Sequence, residues 1–267
     1  ERILMALETV QIIKQGYYTK EKSQIPLSNR KRNFSQVTPY PPKILENLRL
    51  TQKAVTPGSL CKIQVFACDM LEAAMGLTAP LVLNFADPLT PGGRFLYGAA
   101  TQEESLCRAS TLYASLTSEK AAEMYWYNKD HSSPVDSDYL LLSPEVCVFR
   151  DAKGRLLDTP YSLSVISMAA PDRSSRVAGV PQEELDRVIK RRLHNLFTVA
   201  AFHGYHSLVL GAWGCGAFEN DAHHVAGRFY ELLITDGYAK WFDTVLFAIL
   251  HDSAKLDIFR EHFENNR

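Results

Sequence analysis

The chain has 267 residues, of which 46% are hydrophobic and 22% charged, and this composition is that of an ordinary globular protein. A formal net charge of −1 excludes the strongly basic surface by which many proteins bind nucleic acids. No apolar run approaches the roughly 20 residues that span a membrane. The five cysteines are scattered without metal-binding or redox spacing, so we expect free thiols in a reducing, intracellular compartment, cytoplasmic or nuclear.

The first predicted element is an amphipathic helix that ends at Gly16. Its apolar residues recur at helical spacing: Ile3, Leu4, Leu7, Val10 and Ile13. The first residues show neither the charged nor the apolar region of a signal peptide. A polar, basic and proline-containing stretch follows from Lys20 to Pro42, and it predicts either an irregular wrap over the surface or a disordered segment.

From residue 63 onward, short apolar runs alternate with helical segments. Strands are predicted over residues 63–67, 81–86, 163–171, 207–210 and 244–250, with two more joined by a turn at 152–154. Helices are predicted over residues 69–77, 105–116, 183–205 and 223–234. Because the strand runs are apolar almost throughout, we expect a mostly parallel α/β sheet covered by helices on both faces.

Ligands of such sheets bind beyond the carboxyl ends of the strands. Three features follow different predicted strands and therefore meet at that edge: Asp69, the stretch after Asn84, and the loop Gly211–Phe218. The last of these, LGAWGCGAFEND, has glycines at 211, 214 and 216 before a helix that Asn220 or Asp221 caps. Its spacing is neither that of a P-loop nor that of a Rossmann loop, so a phosphate-binding loop and a tight structural turn both fit.

The stretch after Asn84, PGGRFLYGAATQEESLCR, allows two interpretations of its glutamates. Thr101 and Glu104 have the spacing of a capping box, in which the glutamate bonds back to the threonine N–H. The alternative is a glycosidic acid at a loop–helix junction. Burial and a nearby diphosphate would raise the pKa of such a carboxyl group toward the range of a general acid. Because adjacent helical residues point about 100° apart, Glu103 and Glu104 are expected to have different roles.

Several segments in order resemble the microbial-type poly(ADP-ribose) glycohydrolase family, which is related to the macrodomains. The family signature is a glycine triplet, six to eight residues, then Gln-Glu-Glu. Gly92-Gly93-Arg94, seven residues and Gln102-Glu103-Glu104 match it except at the third glycine. Further matching segments are ETVQIIKQGYYT, LNFA, ESLCRASTLYASL, FRDAKGRLL, SVISMAAP and LGAWGCGAFEND. The resemblance covers nearly the whole chain, with residues 20–56 the least similar.

The resemblance implies an α/β fold with three α/β/α layers, a macrodomain-like mixed central sheet and an N-terminal helical extension. The expected domains are residues 1–60 for the helical and irregular extension, packed on the core, and residues 61–267 for the catalytic core. The implied reaction is hydrolysis of ribose–ribose O-glycosidic bonds in poly(ADP-ribose), with release of ADP-ribose and reversal of ADP-ribosylation. No cofactor or metal is expected, nor is membrane or direct nucleic-acid binding. The expected partner is the polymer or an ADP-ribosylated protein, and the chain is expected to be a monomer.

The resemblance also implies roles around the scissile bond. Glu104 corresponds to the general acid that protonates the leaving 2′ oxygen and then acts as base on the attacking water. Glu103 is expected to hydrogen-bond ribose hydroxyls, and Gln102 to orient the loop or the ligand. Gly92 and Gly93 are expected to let the backbone approach the diphosphate and the ribose.

The remaining ligand-binding residues come from the other two features. A second diphosphate loop is expected from Gly214, Cys215, Gly216 and Ala217, with Phe218 packed against the ribose. Asp69 is where many macrodomains place an acid for the adenine amino group, although helix capping is the commoner role of such an aspartate. Asn84, at the end of its strand, completes the predicted ligand-binding set together with Arg94.

Arg94 is the main departure from the family pattern. Its side chain either pairs with phosphate and preserves function, or fills the site and narrows the substrate range. The second case leaves a hydrolase of another, mono-ADP-ribose conjugate, or a module that binds ADP-ribose without polymer turnover. Asp87 and Thr90 differ from many relatives in the same region.

Overall fold

The computed structural model describes residues 1–27, 33–51, 60–131, 133–177 and 179–264. Its strands are β1 (Tyr17–Lys20), β2 (Ser23–Pro26), β3 (Thr38–Tyr40), β4 (Lys62–Phe66), β5 (Leu81–Phe85), β6 (Leu140–Arg150), β7 (Leu156–Met168), β8 (Ser207–Leu210) and β9 (Thr244–Ala248). Its α-helices are α1 (Arg2–Gln15), α2 (Pro42–Thr51), α3 (Met70–Ala74), α4 (Gln102–Ala109), α5 (Leu112–Leu116), α6 (Glu119–Asp130), α7 (Gln182–Phe202), α8 (Ala222–Tyr230) and α9 (Ser253–Phe263).

Within these residues a seven-stranded sheet has the order β3-β6-β7-β5-β8-β9-β4. The pairs from β7 through β4 are parallel, whereas β3, β6 and β7 pair antiparallel. The sheet is therefore mixed. Its parallel part brings the carboxyl ends of β4, β5, β8 and β9 to one edge, which is where ligands bind in such folds.

Side chains along the strands alternate between two hydrophobic clusters, one on each face of the sheet. In β5, Leu81 and Leu83 join the first cluster and Val82 joins the second. The first face is covered by α2, α7, α8 and α9, and the second by α1, α3, α4, α5 and α6. The predicted three-layer α/β/α fold with a mixed central sheet is confirmed.

Several predicted elements differ in their extent. The predicted helix 105–116 is two helices, because Ser110 adopts an extended conformation and forms a bridge to Val148. The apolar runs on either side of residue 160 form the single strand β7. Part of the stretch predicted as irregular, from Lys20 to Pro42, forms the hairpin β1–β2 and the sheet-edge strand β3.

Helix α1 turns a different face to the core from the one its apolar spacing suggests. Leu4 and Leu7 are 70% and 56% exposed, whereas Thr9 is fully buried. The buried threonine donates to the carbonyl of Arg108 at 2.8 Å and accepts from Arg150. The polar contacts of Thr9, rather than the row of apolar residues, therefore orient this helix.

The predicted division of the chain at residue 60 stays a prediction. Residues 28–32 and 52–59 of the predicted extension lie outside the described residues. Of the rest, β3 pairs with the edge of the central sheet and α2 packs on α7. None of the helices within the described ranges combines the length and the apolarity needed to cross a membrane.

Candidate active site

A cavity of about 990 Å³ opens at the carboxyl ends of the parallel strands. Its walls include segments that follow strands of the sheet: Asp69 after β4, Asp87 after β5, Ala170 after β7, residues 212–214 and 216–218 after β8, and residues 249–252 after β9. The loop and first turn of α4, the start of α1 and the turn after β6 also line the cavity. The volume lies at the upper end of the range of roughly 300–1,000 Å³ that small-molecule sites occupy.

Glu103 lies in the first turn of α4 and is only 2% exposed. One carboxylate oxygen accepts from the Asn84 amide at 3.1 Å, and the other accepts from the Asp87 backbone N–H at 2.8 Å. Burial raises the pKa of Glu103 to about 8, with the nearby charges of Asp87 and Glu104 as smaller causes, against the lowering effect of the two hydrogen bonds. This group therefore holds its proton well above the range of an ordinary glutamate.

Glu104, the next residue of α4, is 5% exposed and also lines the cavity. Its Oε1 accepts from the backbone N–H of Arg94 at 3.0 Å, and its Oε2 accepts from the Thr101 hydroxyl. The capping-box alternative predicted a bond from the Thr101 N–H instead. The observed bonds tie the carboxylate to the preceding loop and fix its position at the cavity wall.

Gln102 connects the start of α4 to the end of β5. Its amide nitrogen donates to the Leu83 carbonyl and its amide oxygen accepts from the Phe85 N–H, both at 2.8 Å. Buried backbone groups at the end of a strand need hydrogen-bond partners. The Gln102 side chain supplies these partners for the Leu83 carbonyl and the Phe85 N–H, and it thereby places Glu103 and Glu104 next to the end of β5.

The glycines before α4 allow the backbone to pass close to the glutamates. A Cβ atom on Gly93 would lie 2.6 Å from Glu104 Oε1 and 3.4 Å from Glu103 Oε2, and one on Gly92 would lie 2.9 Å from the Tyr113 ring. Both glycines also have positive φ, 69° and 56° for 92 and 93. A side chain at either position would collide with its neighbours.

Arg94 occupies the third position of the triplet without the same constraint. Its φ is −100°, which any L residue adopts, and its backbone N–H makes the bond to Glu104. The side chain is exposed and lines the cavity. The departure from glycine is therefore compatible with the backbone and adds a positive charge to the wall.

The second glycine loop lies on the other side of the cavity. Gly214 has φ +74°, and a Cβ there would lie 2.4 Å from the Ala170 Cβ and 2.8 Å from the Asn220 amide nitrogen. A Cβ on Gly216, in contrast, would have no neighbouring atom within 4 Å. Trp213 anchors the loop by donating to the Met168 carbonyl at 2.9 Å.

Some backbone N–H groups of this loop are not used within the protein. Among the described residues, the N–H groups of Gly216, Ala217 and Phe218 have no protein acceptor, and all three residues line the cavity. Such a run of free donors is a site for an anion. The following helix α8 is capped by Asp221, which accepts from the N–H groups of His223 and His224.

Asp69 lies between β4 and α3. One oxygen accepts from the Leu71 N–H at 2.8 Å and caps α3, and the residue also lines the cavity. Burial raises the pKa of Asp69, while the backbone hydrogen bonds of the cap lower it. The capping interaction and contact with a ligand are therefore compatible.

Not every predicted site residue lines the cavity. Asn84 is fully buried and reaches the site through Glu103, and it also donates to Ser167 at 3.0 Å. Gly92 and Gly93 lie behind Glu104. The Cys215 side chain packs into the core, and burial raises its pKa to about 12. These residues shape the site without forming its surface.

The sequence interpretation also missed parts of the wall. The bond from Thr101 to Glu104 follows from the same spacing that suggested a capping box. The start of α1, with Arg2 and Met5, lines the cavity beside the turn at 152–154, and no local pattern indicates this long-range contact. In the part of the chain that the structure describes, no group of His, Cys, Asp or Glu side chains is placed to hold a metal ion.

The fold and the site together define a macrodomain-like α/β protein whose cavity is lined by two buried carboxyl groups and by a glycine loop with free N–H groups. The family described as microbial-type PARG, catalytic domain, matches residues 6–151. Over most of its length the chain also resembles solved structures, and it belongs to the microbial-type PARG family.

Similar solved structures include enzymes of two bacteria. The poly(ADP-ribose) glycohydrolase of Thermomonospora curvata is 35% identical, with 98% of this chain and 99% of that chain covered and a TM-score of 0.92. The same enzyme bound to the inhibitor ADP-HPD has a TM-score of 0.88 at the same identity and coverage. A poly(ADP-ribose) glycohydrolase of Deinococcus radiodurans in complex with ADP-ribose is 36% identical over 86% of this chain and 95% of that chain, with a TM-score of 0.78. No curated protein sequence matches the chain.

Proposed function

We propose that the protein hydrolyses the ribose–ribose O-glycosidic bonds of poly(ADP-ribose) and releases ADP-ribose. One observation carries the proposal: Glu103 and Glu104 lie on one wall of the cavity, and the free N–H groups of residues 216–218 lie on another. Two carboxyl groups beside a glycosidic bond are the usual machinery of glycoside hydrolysis. Solved relatives bound to ADP-ribose and to ADP-HPD support the same ligand class.

In the proposed reaction Glu104 is the general acid and base. It gives a proton to the leaving 2′ oxygen, and the sugar carbon develops the positive charge of an oxocarbenium-like transition state. The carboxylate then takes a proton from the water that attacks this carbon. Its bonds to the Arg94 N–H and the Thr101 hydroxyl hold it in one orientation during both steps.

Glu103 is proposed to bind the ribose. With a pKa of about 8 it is largely protonated at neutral pH before substrate binds, so the two neighbouring carboxyl groups avoid a full like-charge repulsion. A neutral carboxyl group both donates to and accepts from sugar hydroxyls. Asn84 and the Asp87 N–H fix its orientation.

The diphosphate is proposed to bind at the second loop. Free N–H groups at residues 216–218 supply the donors, and Gly216 and Ala217 carry no bulky side chain. Phe218 is half-buried, lines the cavity and offers an apolar surface to the adjoining ribose. Asp69 is proposed to accept from the adenine amino group through the oxygen that does not cap α3.

The cellular setting is also a proposal. The cysteines within the described ranges are thiols rather than disulfides, which supports a reducing, intracellular compartment. There the substrate would be the polymer on an ADP-ribosylated protein.

The test is the release of free ADP-ribose from defined poly(ADP-ribose), followed by mass spectrometry. Glu104→Gln is expected to lower kcat by roughly 10²–10⁴-fold while ADP-ribose still binds. Glu119→Gln is the matched control, because Glu119 also lies in the first turn of a helix but is exposed outside the cavity. If the parent protein binds ADP-ribose without turnover, the protein is a recognition module and not an enzyme.

A further inference from the structure

The cavity continues past the catalytic carboxylates toward the start of helix α1. We call this part the α1 end of the cavity, defined by Arg2, Ala99, Arg108 and Lys153. The reaction proposed above uses the carboxylates and the glycine loop after β8, and it leaves the α1 end without a function.

The α1 end is rich in positive charge. Arg108 is 7% exposed, donates to the Ala99 carbonyl and to the Ser105 hydroxyl, and follows Glu104 by one helical turn. Arg2 is exposed and lies close enough to Arg108 that its charge, after the larger effect of burial, lowers the pKa of Arg108. Across the described residues, neither arginine nor Arg94 forms an ion pair with a carboxylate within 4.0 Å.

Carboxylates at this end balance the charge only in part. Asp151 pairs with Arg155 at 2.7 Å and caps the turn at residues 152–154. Arg150 is paired with Glu8. Glu1 and Glu104 are the remaining acids near Arg2, Arg94, Arg108 and Lys153, and the charge of Glu104 raises the pKa of Arg108 against the larger lowering effect of burial. An unbalanced group of cations in a partly enclosed wall favours an anionic ligand.

Helix α1 is held firmly enough to place Arg2. Glu8 binds the buried Arg150, and the Thr9 hydroxyl donates to the Arg108 carbonyl. Near its start, the helix packs so closely that a Cβ on Gly98 would lie 3.0 Å from an Ile3 side-chain atom and 3.5 Å from the Arg2 Cβ. Gly98 belongs to the loop between Arg94 and Glu104, so the helix start and the catalytic loop are in contact.

The chemistry of the polymer supplies a matching anion. The oxygen that Glu104 protonates belongs to the adenosine ribose of the departing unit, and that ribose carries its own diphosphate a few bonds away. We propose that Arg2, Arg94 and Arg108 form a subsite for the diphosphate of the departing polymer unit. This inference rests on the proposed function. It gives the arginine at the third triplet position a role in selecting polymer over conjugates whose leaving group has no phosphate.

Two substrates with the same scissile bond test the subsite. The first is the ADP-ribose dimer, and the second is ADP-ribose joined to the 2′ oxygen of adenosine that lacks a 5′ diphosphate. Both release ADP-ribose from the same side of the bond. The parent is expected to cleave the dimer at least about tenfold more efficiently, measured as kcat/KM, and added salt is expected to reduce this preference.

Arg2→Ala is expected to lower kcat/KM for the dimer by about five- to tenfold and to leave kcat/KM for the adenosine substrate unchanged, and Arg94→Ala is expected to lower kcat/KM more for the dimer than for the adenosine substrate. Both side chains are exposed, so the folded state is expected to keep its Tm. Arg187→Ala is the matched control, since Arg187 is an exposed arginine of α7 outside the cavity. Arg187→Ala is expected to leave kcat/KM unchanged for both substrates.

Two different failures are distinguishable. Equal efficiency of the parent on the two substrates, or equal losses on both in the arginine variants, would overturn the subsite while the glycohydrolase activity stands. Absence of cleavage of either substrate by the parent would overturn the proposed function and the subsite with it.

Discussion

The two glycine loops that flank the cavity use the same residue type for different purposes. The first loop runs from Pro91 to Thr101 before α4, and the second from Gly211 to Asn220 after β8. In the first, the space beside Gly93 is occupied by the carboxylates of Glu103 and Glu104. In the second, Gly214 packs against protein but Gly216 faces open space in the cavity.

This difference indicates that the first loop positions the carboxyl groups, whereas the second loop has the proposed role of binding the ligand. The first loop approaches the carboxyl groups of Glu103 and Glu104 closely and holds Glu104 through a backbone N–H. The second loop lines the cavity with three residues whose N–H groups have no acceptor among the described residues. A glycine-rich sequence therefore marks close approach of the backbone, and the partner that approaches is decided by the surrounding structure.

The largest effect is expected from Gly93→Ala, which attacks the first loop directly. The added methyl group would lie 2.6 Å from Glu104 Oε1 and displace it, and we expect kcat/KM to fall by about 10²–10³-fold. Gly204 also has a positive φ, +72°, but a Cβ there would have no atom within 4 Å, so Gly204→Ala supplies the backbone strain alone. Steady-state kinetics that show equal activity in the two variants would contradict the positioning role.

Glu103→Gln tests the electrostatic cost of burying the carboxyl group that packs against the first loop. The native state keeps the Glu103 proton until about pH 8, whereas an unfolded glutamate loses it near 4.5. The parent's free energy of unfolding should therefore fall as pH rises between these values, and this contribution should vanish in the variant. We expect the free energy of unfolding of the parent, relative to that of the variant, to fall by about 2–4 kcal/mol between these two pH values, measured by urea unfolding.

The control for this pH dependence is Glu119→Gln, which removes an exposed carboxylate. Its stability relative to the parent is expected to stay nearly constant from pH 5 to pH 8. A flat difference for Glu103→Gln as well would mean that burial does not hold the proton on Glu103.

Gly214→Ala tests the packed half of the second loop. A methyl group 2.4 Å from the Ala170 Cβ, at a residue with φ +74°, is expected to lower the free energy of unfolding by about 2–3 kcal/mol. Gly204→Ala again serves for comparison, at about 1 kcal/mol. Chemical denaturation that ranks both variants alike would show that the loop relaxes around the added atom.

The smallest effect is expected from Gly216→Ala at the open half of the same loop. Stability should change by no more than about 0.5 kcal/mol, because the methyl group meets no protein atom. Calorimetry is expected to show a three- to tenfold weaker affinity for ADP-ribose, about 1 kcal/mol, since the methyl group enters the binding space. Gly76→Ala, equally unhindered but outside the cavity, should bind normally; unchanged affinity in Gly216→Ala would move the ligand away from this loop.

Much of this organisation could be predicted from the sequence because it is encoded by neighbouring residues. Short, nearly continuous apolar runs and helical segments of period 3.6 predicted the alternating strands and helices of the core. The spacing of Gly92 and Gly93 before Gln102-Glu103-Glu104 indicated the family, which the comparisons confirm. The same local patterns placed Asp69 and the loop 211–218 after their strands, and both line the cavity.

Other features depended on contacts between distant parts of the chain. Apolar spacing in α1 favoured burial of Leu4 and Leu7, but Thr9 is the buried residue. Thr9 hydrogen-bonds to Arg108 and Arg150, and these partners lie too far away in sequence for a local pattern to indicate them. Similarly, no local signal shows that Arg2 lines the cavity or that Cys215 faces the core.

By itself the sequence determined the order of the elements, the glycine positions and the pair of glutamates, since each is set within a few residues. Only the tertiary structure decided that burial raises the pKa of Glu103, that the Arg94 N–H holds Glu104, and which loop keeps free donors. Burial and hydrogen-bond partners are properties of the packed chain, because they depend on which distant segments exclude water from a group.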